Sequence, residues 1–60
     1  MEYRLNYYEG SNVVKVRDIE ADSIDVGEFF VIFNGWDSER GIYLPFFIIR
    51  SENVIDIEKI

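Results

Sequence analysis

The chain has 60 residues, of which 12 are acidic and 6 are basic, and its net charge is −6 at pH 7. It contains neither histidine nor cysteine, so it lacks the usual proton shuttle at neutral pH, the soft metal ligands and the thiolate nucleophile. These absences exclude disulfides and disfavour a zinc site. They predict a protein that is not an enzyme, with no catalytic residues, no metal and no cofactor.

A chain of this length forms one domain, spanning residues 1–60, and buries only about 60% of the surface that its unfolded form exposes. Small domains are usually reinforced by disulfides, a structural metal or oligomerisation, and the 48% hydrophobic content favours the third. The negative charge disfavours direct contact with nucleic acid or an anionic membrane. The N-terminus shows no basic segment followed by an apolar stretch, so we expect a cytoplasmic protein.

Residue composition predicts an all-β fold, because fifteen Val and Ile and ten aromatic residues stand against a single Ala. The first strand is marked by Tyr3, Leu5 and Tyr7, which alternate with polar residues in the period of a half-buried strand. Residues 9–12 read as a hairpin turn. Residues 13–17 then return as the second strand.

The middle of the chain begins with an acidic stretch, residues 18–25, which we expect to be irregular. Alternation resumes at Ile24 and Val26 before Gly27, and a glycine inside such a pattern suggests a bulge or a bend. The third strand is predicted over residues 28–33, which are apolar on both faces.

A loop is predicted over residues 34–41, because Asn-Gly at its start and Gly41 at its end are turn signals. The fourth strand covers residues 42–49. Pro45 lies within it and indicates a sheet edge or a bulge, since proline cannot donate to a ladder.

The last stretch allows two interpretations. Residues 50–53 form a polar turn, and the apolar residues that follow at a spacing of three suit one helical face, with Ser51 as N-cap. Alternation of Ile55 and Ile57 with acidic residues favours a strand over residues 54–58. Five short strands in one small domain predict a strongly bent barrel or a curled antiparallel sheet.

A resemblance to known families rests on the end of the chain. Tyr43-Leu44-Pro45, the polar turn 50–53 and the segment 54–60 resemble the end of small barrels of the Sm-like or Src-homology-three-like type. Small acidic all-β proteins of bacteriophages and prophages are similar in their strand pattern along the whole chain. The resemblance implies a homo-oligomeric ring, preferably a hexamer, with an accessory, assembly or chaperone-like role. It does not extend to RNA binding, since the chain lacks the basic residues which that role requires.

Four alternating carboxylates are the only group in the sequence that suggests a metal site: Asp18, Glu20, Asp22 and Asp25. A calcium loop would need Gly where Ser23 stands and Glu where Phe29 stands. We therefore interpret the four as a solvated connection. Paired carboxylates can also hydrolyse glycosides, but so small a domain has little room for the cleft that this chemistry needs.

The strongest functional signal is the apolar character of both faces of the third and fourth strands. If Val31 and Phe33 face the core, then Phe30 and Ile32 point away from it. Trp36, in the predicted loop, is either an interface anchor or a lid over one end of the barrel. We predict a protein-interaction surface with six members: Phe30, Ile32, Trp36, Tyr43, Phe47 and Ile49.

The sequence is compatible with two functions. The first is a homo-oligomer that acts through protein–protein contacts with its own copies and with a phage or host protein. The second is an acidic inhibitor of a host protein, which would present carboxylates in place of nucleic-acid phosphates. The second predicts salt-sensitive capture of a basic protein, whereas an apolar interface survives high salt.

Overall fold

A computed structural model describes residues 1–60, and apart from one 3₁₀ turn at Ser51–Asn53 every element in it is a strand. The strands are β1 Glu2–Glu9, β2 Val13–Glu20, β3 Ser23–Val26, β4 Phe30–Asp37, β5 Ile42–Arg50 and β6 Val54–Lys59. The all-β prediction is confirmed. No helix is long and apolar enough to cross a membrane.

The strands form two antiparallel sheets of three. Sheet A has the order β2-β1-β6, and sheet B has the order β3-β4-β5. Only Ala21 and Asp22 separate β2 from β3, so the chain passes from sheet A into sheet B within two residues. The sequence predicts five strands where the structure has six, because the alternation at Ile24 and Val26 forms a separate strand, β3. The acidic stretch is therefore largely strand and not an irregular connection.

The first and last connections match the sequence patterns. The β1–β2 turn is confirmed, and it needs left-handed backbone at Gly10 and Asn12, whose φ angles are 66° and 69°. The final stretch is a strand, which settles the helix alternative. Ser51 donates from Oγ to the Gly27 carbonyl at 2.7 Å and does not cap a helix.

The predicted loop over residues 34–41 is wrong in its first half. Asn34, Gly35 and Trp36 continue β4, and the turn occupies only residues 38–41. Asp37 shapes this turn, because its Oδ1 accepts hydrogen bonds from the backbone amides of Glu39 and Arg40. An aspartate whose side chain binds the backbone amide two residues later favours a turn. The turn therefore begins at residue 38, four residues after the start that the Asn-Gly pair predicts.

The core lies between the two sheets and is small. Sheet A and the residue that follows β2 contribute four buried residues and sheet B contributes two: Tyr3, Leu5, Ile19 and Ala21, then Val31 and Phe33. Phe33 is fully buried, and its ring meets Tyr3 and Phe47 edge to face at centroid distances of 6.2 and 5.8 Å. The radius of gyration is 12.0 Å, against roughly 10 Å for a compact domain of this length. Much of the apolar surface therefore lies outside the core.

Candidate interaction surface on sheet B

An apolar stripe runs along the face of sheet B that points away from the core. Residues of β4 and β5 that pair across the ladder share this face, as Ile32 does with Ile48 and Trp36 with Tyr43. Phe30 lies at the end of the same row, opposite Arg50. We define the outer stripe as Phe30, Ile32, Trp36, Tyr43 and Ile48.

Four of the five side chains in the outer stripe are about half exposed. The exposed fractions are 49% for Phe30, 51% for Trp36, 54% for Tyr43 and 56% for Ile48, and Ile32 is half-buried. The Trp36 and Tyr43 rings pack edge to face at 4.9 Å. Trp36 therefore lies in a strand on the outer face and does not form a lid over the core.

Four of the six predicted interaction residues belong to the outer stripe, but Phe47 and Ile49 do not. Both are partly buried and pack against the core. The cause is a bulge: Phe33 pairs with Phe47 while the next residue, Asn34, pairs with Pro45, which leaves Phe46 as an extra residue in β5. An inserted residue moves every later side chain to the opposite face. The placement of Phe47 and Ile49 on the outer surface is thus wrong.

The same bulge brings Ile48 to the outer face, opposite Ile32. Ile48 is not among the six predicted interaction residues. The available signal was Pro45, which indicates a bulge or an edge, and the structure has both. A proline does not indicate whether the extra residue precedes or follows it. The sequence therefore does not determine which face of the sheet Ile48 takes.

A buried amide interrupts the outer stripe. Asn34 is only 6% exposed, and its side-chain nitrogen donates to Ser23 Oγ at 3.2 Å and to Asp25 Oδ2 at 3.0 Å. These bonds tie the outer face of β4 to β3. They also explain why Asn34 continues the strand, since a turn would leave this amide without its partners.

The four carboxylates of the acidic stretch lie apart and have separate partners. Arg4 donates from Nε and Nη2 to both oxygens of Asp18, at 2.9 and 3.2 Å. Glu20 accepts from the N-terminal amine, and Asp22 accepts from the backbone amide of Trp36 at 2.6 Å. No group of three or more carboxylates converges to hold a metal ion.

Arg4 and Asp18 perturb each other's titration. The hydrogen bond from Arg4 holds the pKa of Asp18 below its usual range; desolvation opposes this effect and the charge of Arg4 reinforces it. Both side chains lie on the outer face of sheet A, at about 45% exposure. The pair balances charge on a solvated surface and does not form a reactive site.

Surface depressions are shallow. One of 230 Å³ lies where β4 begins and β5 ends, beside Phe30 and Arg50. A second, of 550 Å³, is wider and more open to solvent, and it lies beside Trp36 and Pro45 near the opposite end of β4. The first is below the volume of about 300 Å³ that is typical of ligand pockets, and the second has the volume but not the enclosed shape. No protein-family model, curated protein or solved structure matches this chain.

Proposed function

We propose that the protein is a non-enzymatic β protein that assembles with copies of itself and acts through protein–protein contacts. One observation carries the proposal: seven of the 60 residues are buried, while fifteen large hydrophobic side chains are exposed. Exposed apolar surface that is contiguous usually marks an interaction site. The outer stripe of sheet B gathers four of these fifteen side chains, together with Ile32, along one ladder that only the Asn34–Pro45 pair interrupts.

The area of the outer stripe limits how tightly two copies could bind through it. An aromatic side chain can bury 150–250 Å², so the three aromatic members at about half exposure offer roughly 300 Å², and the two isoleucines raise the total to at most roughly 500 Å². Two stripes in contact would bury about 1,000 Å², which is at the lower limit for a specific interface. The stripe alone gives a weak contact, and a stable assembly needs a further contact beside it.

Charge determines where two copies can approach. Each copy carries a net charge of −6, so association must occur where like charges are sparse. The outer stripe contains no charged residue. Self-association through it should survive or strengthen in high salt, because salt screens the repulsion between copies and leaves apolar contacts intact.

The finer architecture and role follow the resemblance stated above. If β2 and β3 are counted as one bent strand, the chain has five strands in a curled arrangement, which supports the proposed small barrel of Sm-like or Src-homology-three-like type. The proposed assembly is a ring, with a hexamer preferred. The proposed role is that of a phage-type accessory, assembly or chaperone-like factor in the cytoplasm, with a phage or host protein as the further partner.

The test is the solution mass of the purified protein, measured by sedimentation at micromolar concentration in low and in high salt. We expect several times the chain mass of 7.1 kDa in both conditions, and a melting temperature that rises with protein concentration. A monomer at all concentrations would refute the proposal. A monomer that also binds a basic host protein, with capture lost in high salt, would favour the acidic inhibitor instead.

A further inference from the structure

The strand β5 has an open edge. Its only hydrogen-bonded neighbour is β4, and the backbone amide of Ser51 donates to the Phe29 carbonyl at 2.9 Å. Hydrogen-bonded and non-hydrogen-bonded pairs alternate along an antiparallel ladder, so Phe47 and Ile49 bond to β4. The backbone N–H and C=O groups of Ile48 and Arg50 therefore point to the open side.

The other three edges carry features that block strand addition. On β2, Lys15 and Arg17 lie opposite Tyr7 and Leu5, on the side that faces the core, and inward-pointing charges are a known protection of edges. The edge strand β3 carries the acidic Asp25. The β6 edge is broken by a bulge at Ile55 and carries acidic side chains. Bulges and charges each disfavour pairing with a further chain.

On β5 the blocking features end early. Pro45 and the bulged Phe46 protect its first half, but residues 47–50 pair regularly with β4 and contain neither proline nor an acidic residue. An open, regular and apolar edge is a template for another strand.

The charge of β5 favours a second copy as the occupant. It is the only strand without an Asp or Glu, and its single charge is the positive Arg50. Two acidic chains that must approach closely repel each other least along this strand. An antiparallel strand also fits its own copy, since a two-fold axis brings the same edge from both chains together.

We propose that β5 of a second copy adds antiparallel to the open edge beyond the bulge, with the two-fold axis at Ile48. This proposal rests on the proposed self-association and names its contact. Each Ile48 then exchanges backbone hydrogen bonds with its equivalent, and Phe47 lies opposite Ile49 of the other copy. The two sheets B become one six-stranded sheet, and the two outer stripes lie side by side as a single surface that is twice as large.

The first experiment compares two proline substitutions by sedimentation. Ile48→Pro removes an amide that faces the open β5 edge and costs no bond within the chain, since proline is tolerated at such edge positions. Val16→Pro is the matched control: Ala21 donates to Met1 O, so by the same alternation the Val16 amide faces the open edge of β2. The proposal predicts an even number of chains in the native protein, a lower mass for folded Ile48→Pro, and an unchanged mass for Val16→Pro.

The second experiment uses the absence of native cysteine, which makes any disulfide between single-cysteine variants intermolecular. Across the proposed axis the two residues at position 48 have Cα atoms about 5.5 Å apart, within the range that a disulfide spans. Ile48→Cys should form a linked dimer as the main product under mild oxidation. Val16→Cys has similar exposure, 60% against 56%, and should remain mostly reduced.

The outcomes separate this proposal from the one on which it rests. A monomeric wild type refutes both. An odd number of chains, a native mass for folded Ile48→Pro, or equal cross-linking of the two cysteine variants refutes the β5 contact and leaves self-association standing. If circular dichroism shows that Ile48→Pro does not fold, the cysteine pair decides.

Discussion

Sheets A and B have three strands each and share one core, yet their outer faces differ in chemistry. On sheet A the middle of the outer face carries polar pairs, Arg4 with Asp18 and Asn6 with Asp56, and its apolar residues gather at one end, at Tyr8, Val14 and Val16. On sheet B apolar pairs occupy most of the ladder, with Ile32 opposite Ile48 and one buried amide between them and the aromatic pair. The outer face of sheet A is thus mixed, whereas that of sheet B is largely apolar.

The edges of the two sheets follow the same division. Sheet A ends in strands that carry inward charges or a bulge with acidic neighbours, whereas sheet B ends in β5, which has an unprotected second half. A strand edge is hazardous unless it is blocked or used. Sheet B thus combines a largely apolar outer face with an open edge, whereas sheet A combines a mixed face with blocked edges. Substitutions on each sheet test this contrast.

The largest effect is expected where the two sheets meet. Phe33→Ala, on sheet B, and Leu5→Ala, on sheet A, each remove a fully buried side chain and should lower the free energy of unfolding by about 3–5 and 2–5 kcal/mol respectively. For so small a domain either loss is enough to unfold much of the population. Denaturant titration measures both, with Phe29→Ala, at 72% exposure, as the control. A large loss for only one of the two would show that the sheets do not share a core.

A smaller effect is expected at the buried amide of sheet B. Asn34→Ala removes the donor to Ser23 and Asp25, and should destabilise the protein by about 1–3 kcal/mol, the usual range for a buried hydrogen-bonding group. Asn6→Ala, in the exposed pair with Asp56 on sheet A, should change stability by less than about 0.5 kcal/mol. Equal losses in thermal unfolding would contradict the difference between the two outer faces.

The contact between Arg17 on β2 and Phe47 on β5 should contribute less to the free energy of unfolding than the buried amide does. The Arg17 guanidinium lies 4.7 Å from the centre of the Phe47 ring, so Arg17→Gln should cost about 0.5–1 kcal/mol through loss of this cation–π contact. Lys15→Gln makes the same charge change on the same face of β2, with no such contact, and should cost less. Urea titration of the pair decides, and an equal loss for both would show that only net charge matters.

The smallest effect is expected from the exposed pair on sheet A and depends on pH. The pKa of Asp18 is lower in the folded chain than its unfolded value, which is near 3.9. The pair therefore stabilises the protein above about pH 4, and this contribution disappears as the pH falls through the folded pKa. Asp18→Asn should be slightly less stable than the wild type at pH 7, and the difference should shrink as the pH falls below about 4. Arg4→Gln should remove the same pH dependence, and a difference that does not change with pH would assign the effect to packing instead.

Most strands were visible in the sequence because their side chains alternate. Tyr3, Leu5 and Tyr7 mark β1 by local pattern, and the final strand could be chosen over a helix for the same reason. The end of β4 was not visible, because Asn34-Gly35 has the chemistry of a turn. Only the partners of Asn34 on a neighbouring strand make an extended backbone favourable there.

The candidate surface was recognised in part for a related reason. Phe30 and Ile32 could be assigned to the outer face by alternation from Val31, which a local pattern provides. Phe47 and Ile49 were assigned to the wrong face because one bulged residue, Phe46, reverses the alternation after Pro45. A bulge depends on how two strands fit together, and no single strand records it.

Composition and local pattern define the class of this protein: one acidic, strand-rich domain without histidine or cysteine, and with more apolar surface than its core can take up. These properties follow from composition and from a side-chain period of two, which are local. Tertiary structure alone decided which face each residue of β5 takes, which amide is buried on sheet B and which edge is open. Register, bulges and edges are set by pairing between strands distant in the chain, and hydrogen-bond geometry across the ladder fixes them.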